Sequence, residues 1–335
     1  MHDSNRRESK LYQAWRQKEI APLWRTSEPT RLAQMPHPRS RAHRLSLLQI
    51  HLAVLLAGGT GLFGKLLPVS PAVITCGRTI VGAVALGLVA LFLKVSLRIR
   101  ELKSGLLLIG SGVVLAVHWL TFFHSIQIST VAIGLLAFST FPLLVTFLEP
   151  LFFREGLHRH DIISAAVVTI GLILVTPNFD LNDQLTQGML WGLLSAFTCA
   201  ICSLMSRCSS RVYLAVSVGF YQQAVAALCT LPFAWHWEGT FSRNDLLLLL
   251  LLGLVFTALL QVLVLSSLRY VRAQTASVMF GLEPVYGILL ARLLLGEKPG
   301  ARTVCGGVLI CGAVLWTSFK HDHRASVAEE IGRAA

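Results

Sequence analysis

Residues 104 to 148 run for 45 positions without one Asp, Glu, Lys or Arg. An element of a water-soluble fold needs a wet face, so a run of this length points to lipid. A helix crosses a bilayer with about 20 apolar residues. The run is therefore too long for one span, and the polar cluster His124, Ser125, Gln127, Ser129 and Thr130 supplies the break between two. Charge elsewhere agrees, since only 14% of the 335 residues are charged, against about 25% in an average soluble domain. Of the 46 charged residues, 14 lie within residues 1–46 and 6 within 320–335, which leaves a membrane domain between two wet ends.

Cutting that domain at charges, Pro, Gly and polar clusters gives ten spans, approximately 46–67, 72–93, 104–123, 128–152, 161–176, 186–206, 213–235, 245–268, 273–295 and 302–319. Loop charge tests the partition. Alternate loops carry Lys94, Arg98, Arg100 and Lys103, then Arg154 and Arg159, then Arg207 and Arg211, then Arg269 and Arg272. The intervening loops carry only Arg243, Lys298 and Arg302. The positive-inside rule then puts both termini in the cytoplasm of a multi-pass protein of the cell (inner) membrane.

The formal charge of +12 does not require nucleic acid as a partner, because the first 46 residues alone contribute half of the excess. A basic tail beside a first span fits a cytoplasmic N-terminus attracted to anionic lipid. Residues 1–45 have no apolar stretch and cleavage site of secretory type, so they are expected as a disordered cytoplasmic tail, with Met35 an alternative start. Residues 320–335 form a second cytoplasmic tail. The seven cysteines are odd in number and sit mostly in apolar runs, which implies no disulfide framework. Cys199 and Cys202 form a CxxC inside an apolar helix, where packing explains them better than redox chemistry.

The stretch from Ser125 to Glu155 aligns with Ser267 to Glu297 at a constant offset of 142: Ser125 with Ser267, Phe138 with Phe280, Pro142 with Pro284, Glu155 with Glu297. Each half then holds five spans, 46–176 and 186–319. Five is odd, so the second half is inverted relative to the first. The expected fold is an all-α integral membrane protein of ten transmembrane helices in two inverted five-helix repeats, with Pro142 and Pro284 as mid-helix breaks beside a midplane site.

These residues also resemble a known family. The stretch Gly61-Leu62-Phe63-Gly64-Lys65 ending span 1, Arg78 in span 2, His118-Trp119 in span 3, Leu282-Glu283-Pro284-Val285 in span 9 and the following Gly296-Glu297-Lys298 look like the EamA branch of the drug/metabolite transporter superfamily. Arg154-Glu155-Gly156 is the looser counterpart in the first half. The resemblance covers Ser46 to about Lys320. It implies a permease that moves small polar or amphipathic metabolites across the cell membrane, mostly outward, and in several members with the proton gradient.

Glu283 is the sharpest candidate of the residues themselves. A carboxylate within a span is costly to keep ionised, which suits reversible protonation and proton coupling, and Pro284 frees a backbone carbonyl one turn earlier. A structural hydrogen bond of a kinked helix is the competing explanation. Arg78 lies too deep in span 2 for a loop charge unless it snorkels, and can meet a substrate carboxylate or Glu283. His118 and Trp119 offer an imidazole and a stacking face, as substrate contacts or as a histidine beside an interfacial aromatic. Tyr221, Gln222, Gln223 and Gln261 must face protein or water. Tyr221 and Gln261 join the substrate-binding candidates with Tyr286, which shares the helical face of Glu283. Glu149, before Pro150, has no place opposite Glu283 in the repeat and is expected as an interfacial charge.

Rival classes fit less well. A membrane enzyme would rest on His158-Arg159-His160-Asp161, but histidines two apart share no helix face and no further ligand cluster accompanies them. A channel or scaffold would need a charge-lined pore or a soluble interaction domain. No Walker-type loop points to bound ATP. The chain is therefore expected to be no enzyme, to need no metal or other cofactor, and to deal with a small-molecule substrate, membrane lipid and protons. The glycines of spans 1 and 10 suit close packing within one chain and leave a homodimer open.

Overall fold

The computed structural model describes residues 41–99, 101–153, 159–175, 180–210, 212–267 and 279–316. Described residues form helices and connecting turns, with no strand among them. In chain order these are α1 (Arg41–Thr60), α2 (Phe63–Leu66), α3 (Pro71–Phe92), α4 (Leu102–Ile128), α5 (Val131–Phe138), α6 (Phe141–Phe153), α7 (Arg159–Val175), α8 (Gln184–Ser209), α9 (Ala215–Trp235), α10 (Arg243–Gly253), α11 (Leu260–Ser267), α12 (Glu283–Leu294) and α13 (Ala301–Trp316). Among the described residues, seven helical stretches are long and apolar enough to cross a membrane: Leu45–Leu66, Pro71–Phe92, Leu102–Ile128, Val131–Pro150, Gln184–Ser209, Ala215–Trp235 and Arg243–Val264. Helices Ile162–Val175 and Ala301–Trp316 are apolar but shorter.

Local chemistry sets the boundaries. Ser70 caps α3 by accepting from the Val73 N–H at 3.4 Å, and Pro71 occupies the first helical position, where no N–H is needed. Thr130 caps α5 through Ile133 N–H at 3.2 Å, Asp183 caps α8 through Thr186 N–H at 3.3 Å, and Ser242 with Asp245 forms a reciprocal capping box on α10. The polar cluster read as a break between spans does separate α4 from α5.

The molecule is dressed for lipid. Leu91, Phe92, Leu228 and Leu293 are each more than 65% exposed, an arrangement that water would penalise. The interior adds polar residues to its apolar core: Thr75, Thr79, Ser111, Ser125, Ser195 and Thr230 are fully buried beside Phe122, Phe123 and Leu135. Helices pack closely because small residues face one another. At Gly58 of α1 an added Cβ would lie 2.6 Å from the Glu283 carbonyl oxygen and 2.8 Å from Gly287 N, so α1 and α12 meet backbone to backbone. Gly306 of α13 similarly faces the Gly171 carbonyl of α7, so glycines of spans 1 and 10 pack within the chain.

Pro142 and Pro284, expected as mid-helix breaks, each follow a two-residue turn, Ser139–Thr140 and Gly281–Leu282. Pro142 and Pro284 do not sit in the middle of continuous helices. Each occupies the second position of a helix that restarts, α6 and α12. The missing N–H costs nothing there, so the proline starts a helix instead of kinking one. Both restarts share one hydrogen-bond pattern. Thr140 N–H donates to Ala137 O and Leu144 N–H to Thr140 O; 142 residues later, Leu282 N–H donates to Met279 O and Tyr286 N–H to Leu282 O.

A candidate binding cavity between the two repeats

The cavity of about 230 Å³ is lined from α1, α3, α4, α5, α6, α8, α9, the α10–α11 segment and α12. Its wall follows the sequence repeat. Six pairs of lining residues stand 142 positions apart: Ala57 with Cys199, Leu115 with Thr257, His118 with Leu260, Trp119 with Gln261, Phe138 with Phe280, and Phe141 with Glu283. The cavity therefore lies where corresponding positions of the two halves converge.

Arg78 is 1% exposed, far from a snorkelling position. Its guanidinium carbon lies 3.5 Å from the centroid of the Trp119 ring and 5.6 Å from that of Phe123, a cation–π arrangement. Nε and one terminal nitrogen donate to Thr257 Oγ1 at 3.2 and 2.9 Å, and the latter nitrogen also reaches the Phe256 carbonyl at 3.4 Å. These acceptors come from a π-helical turn, Leu254–Leu259, which inserts an extra residue between α10 and α11. Thr257 donates its own hydroxyl proton to Leu252 O at 2.9 Å, leaving its lone pairs for Arg78. The other terminal nitrogen, NH1, is buried without a hydrogen-bond partner among the described residues.

Glu283 opens α12 and is 7% exposed. Among the described residues, neither a hydrogen bond nor an ion pair reaches its carboxyl group, and it does not pair with Arg78. The structural hydrogen bond considered above is therefore not seen. His118, 2% exposed, is held through Nδ1, which lies 3.1 Å from Ser195 O and 2.9 Å from Ser195 Oγ. Donation by Nδ1 to the carbonyl leaves Nε2 as an acceptor. Its ring lies 4.4 Å from that of Trp119 and 5.3 Å from that of Phe138, centroid to centroid. Gln223 and Gln261 add two amides to the wall.

Five of the sequence-derived candidates, Glu283, Arg78, His118, Trp119 and Gln261, thus share one cavity. Tyr221 and Tyr286 are not among its lining residues. The Tyr221 hydroxyl donates to the Leu97 carbonyl beyond the end of α3, which ties α9 to that loop. Glu149 pairs with Arg207 at the ends of α6 and α8. His158 lies outside the described residues, as do the side chains of His160 and Asp161. Sequence reasoning passed over Gln223, taken as an interhelical group, and Thr257, Phe256 and Phe141. Stepping 142 residues from Glu283 or Leu115 would have found Phe141 and Thr257. The π turn that brings Phe256 to Arg78 has no mark in the sequence.

A multi-helix membrane protein with a polar-edged cavity between two repeated halves is the architecture of a carrier. The profile of the EamA-like transporter family matches residues 44–176 and again 186–319, and the chain belongs to that family. It is 23% identical over 228 residues to the uncharacterized transporter YxxF of Bacillus subtilis, covering 66% of this chain and 72% of that one. It is 27% identical over 210 residues to the pseudopaline exporter CntI of Pseudomonas aeruginosa, covering 62% and 73%. A solved crystal structure superposes on 81% of this chain and 95% of its own with a TM-score of 0.59 at 19% identity, so the two share a fold.

Proposed function

We propose that this transporter is a proton-coupled secondary carrier that exports a small metabolite, amino acid or drug from the cytoplasm by alternating access. The observation that carries the reading is Glu283: a buried carboxyl, without a partner among the described residues, on the wall of a cavity built from both halves. An unpaired acid inside a membrane protein is costly and marks a proton or ion pathway by default. Protonation of Glu283 from one side and release to the other, in exchange with substrate, gives outward transport driven by the proton gradient. The exporter of Pseudomonas aeruginosa among the relatives supports the outward direction. The cavity volume of about 230 Å³ falls below the roughly 300–1,000 Å³ of drug-sized pockets and favours a small metabolite.

The shared 142-residue step between helix restarts and between cavity walls supports two five-helix repeats. With α12 and the shorter α7 and α13 as spans, the chain crosses ten times, the repeats are inverted and both termini are cytoplasmic. The test is flux in proteoliposomes. Wild-type protein accumulates solutes from a pooled labelled metabolite mixture when a pH gradient is imposed, and Glu283→Gln does not. Equal, gradient-driven accumulation by both proteins would remove the proton-coupling role.

A further inference from the structure

We infer that the hydrogen bond from Val131 N–H to the Glu297 carboxylate is a latch on the outer side, a contact that must break before the cavity opens outward. The inference rests on the carrier reading and names a device for it. Six buried side-chain polar atoms among the described residues lack a hydrogen-bond partner. Arg78 NH1, Trp119 Nε1 and Gln223 Oε1 belong to residues of the cavity wall, but Glu297 Oε2 does not. Glu297 lies just beyond the end of α12, and its other oxygen, Oε1, accepts the Val131 N–H at 3.2 Å. Val131 is the first residue of α5. A carboxylate from the second half therefore caps a helix of the first, at the end where the helix dipole favours negative charge. The loops after spans 1, 3 and 9 share one side, and loop charge makes it the outer one.

Unequal anchoring decides which contact yields. Only Ser129 and Thr130 separate α4 from α5. Lys65, at the end of span 1, donates to the Gln127 and Ser129 carbonyls at 3.2 and 2.7 Å, where the α4 C-terminus leaves acceptors over and its dipole favours positive charge. Gln127 Nε2 donates to Val69 O at 2.8 Å, and Ser125 Oγ to Gly188 O of α8 at 2.5 Å. The junction is thus fixed to α2, to the loop before α3 and to α8. Glu297 holds it through one bond from one oxygen and leaves the other buried and unpaired. Part of what that bond contributes is lost to desolvation. When the outer ends separate, this tie gives way first, and the freed carboxylate regains water.

The two helices that the latch joins also flank the cavity. α5 starts at the latch with Val131 and ends in the cavity wall with Phe138. α12 runs the other way, from Glu283 in the wall to Leu294, about 18 Å of helix. Between their ends they pack tightly, since a Cβ added at Gly287 of α12 would collide with Leu135 of α5. Gly296 then takes a φ of 69°, the left-handed region that glycine adopts without strain, and Glu297 N–H folds back to Ala291 O at 3.3 Å. That turn brings the carboxylate onto α5. Movement of α12 at its Glu283 end is carried along the helix to Glu297, so the latch senses the state of the cavity.

Glu297→Ala deletes the latch, whereas Glu297→Gln keeps an acceptor for Val131 N–H. In protein whose only cysteine is Cys199, a membrane-impermeant thiol reagent is applied to right-side-out and to inside-out vesicles, with thermal melting to confirm folding. The inference predicts that Glu297→Ala raises the ratio of outside to inside labelling at least about threefold over wild type, and that Glu297→Gln restores most of the wild-type ratio. A merely structural Glu297 would lower the melting temperature and leave the ratio alone. An unchanged or lowered ratio in folded Glu297→Ala overturns the latch. Should that variant fail to fold, Val131→Cys with Glu297→Cys in protein lacking the native cysteines is joined by a short, reducible bis-thiosulfonate. Uptake of the pooled labelled metabolites into proteoliposomes should stop on cross-linking and return on reduction. Uptake at the uncross-linked rate in the joined protein overturns the latch and leaves the carrier standing. No flux of any solute through folded wild-type protein overturns the carrier reading itself.

Discussion

The two halves of the chain place residues at matching positions around one cavity and fill them with different chemistry. Where the first half has His118, Trp119 and Phe141, the second has Leu260, Gln261 and Glu283. The backbone breaks beside them share one hydrogen-bond pattern, yet at the matching position one half brings the Phe141 ring and the other the Glu283 carboxyl. A repeated frame therefore does not make a repeated site. The frame sets where side chains converge, whereas the unlike side chains make the cavity asymmetric, with a guanidinium stacked on Trp119 and an acid in the same wall.

Removing the acid breaks the comparison most severely. Glu283→Gln keeps the shape and loses the charge. A charge-assisted contact is worth about 1.5–3 kcal/mol, so gradient-driven transport should fall roughly 10–100-fold. Melting temperature should stay unchanged or rise, since a buried unpaired acid is removed. Flux assays and thermal melts on the same preparation check both. Next comes Gly58→Val, which forces a side chain against the Glu283 carbonyl and Gly287. Overpacking costs about 1–3 kcal/mol. A lower melting temperature and lost flux should appear together, because this contact holds the acid in place.

Smaller effects sharpen the contrast between paired and unpaired groups. Trp119→Phe keeps a ring over Arg78 but deletes one unpartnered donor. Initial-rate measurements should show a fall in transport of less than about tenfold. The neighbours Gln222 and Gln223 provide the finest comparison. Gln222 Nε2 donates to Ser206 Oγ at 2.6 Å and faces Cys202 Sγ at 3.6 Å, a link between α9 and α8 away from the cavity. Gln222→Ala should lower stability by about 1 kcal/mol and leave transport within twofold of wild type. Gln223→Ala should do the reverse, as melts and flux on the pair will show.

The same division explains how much could be read in advance. Helix class, the break before Val131 and the 142-residue repeat are written in charge spacing and polar clusters, which act locally and leave a mark in any sequence. Glu283, Arg78 and the His118-Trp119 pair stood out because lipid makes polar side chains conspicuous. Tyr221 stood out for the same reason, but its hydroxyl is met by the Leu97 carbonyl, and whether a polar group has a partner is a tertiary fact. The prolines were visible as breaks, but that each would start a helix and not kink one was not. Kinking a helix and starting one use the same residue, and only neighbouring hydrogen bonds decide between them. The π turn beneath Arg78 was equally hidden, since no residue type encodes it.

The central claim is that this cavity opens to each side of the membrane in turn. Cys199 lines it and is the mate of Ala57 across the repeat. With the other six cysteines replaced, a membrane-impermeant thiol reagent can be applied to right-side-out and to inside-out vesicles. The account predicts labelling of Cys199 from both sides, shifted toward one or the other by the direction of the pH gradient and reduced by Glu283→Gln. Labelling from one side only, whatever the gradient, would contradict it.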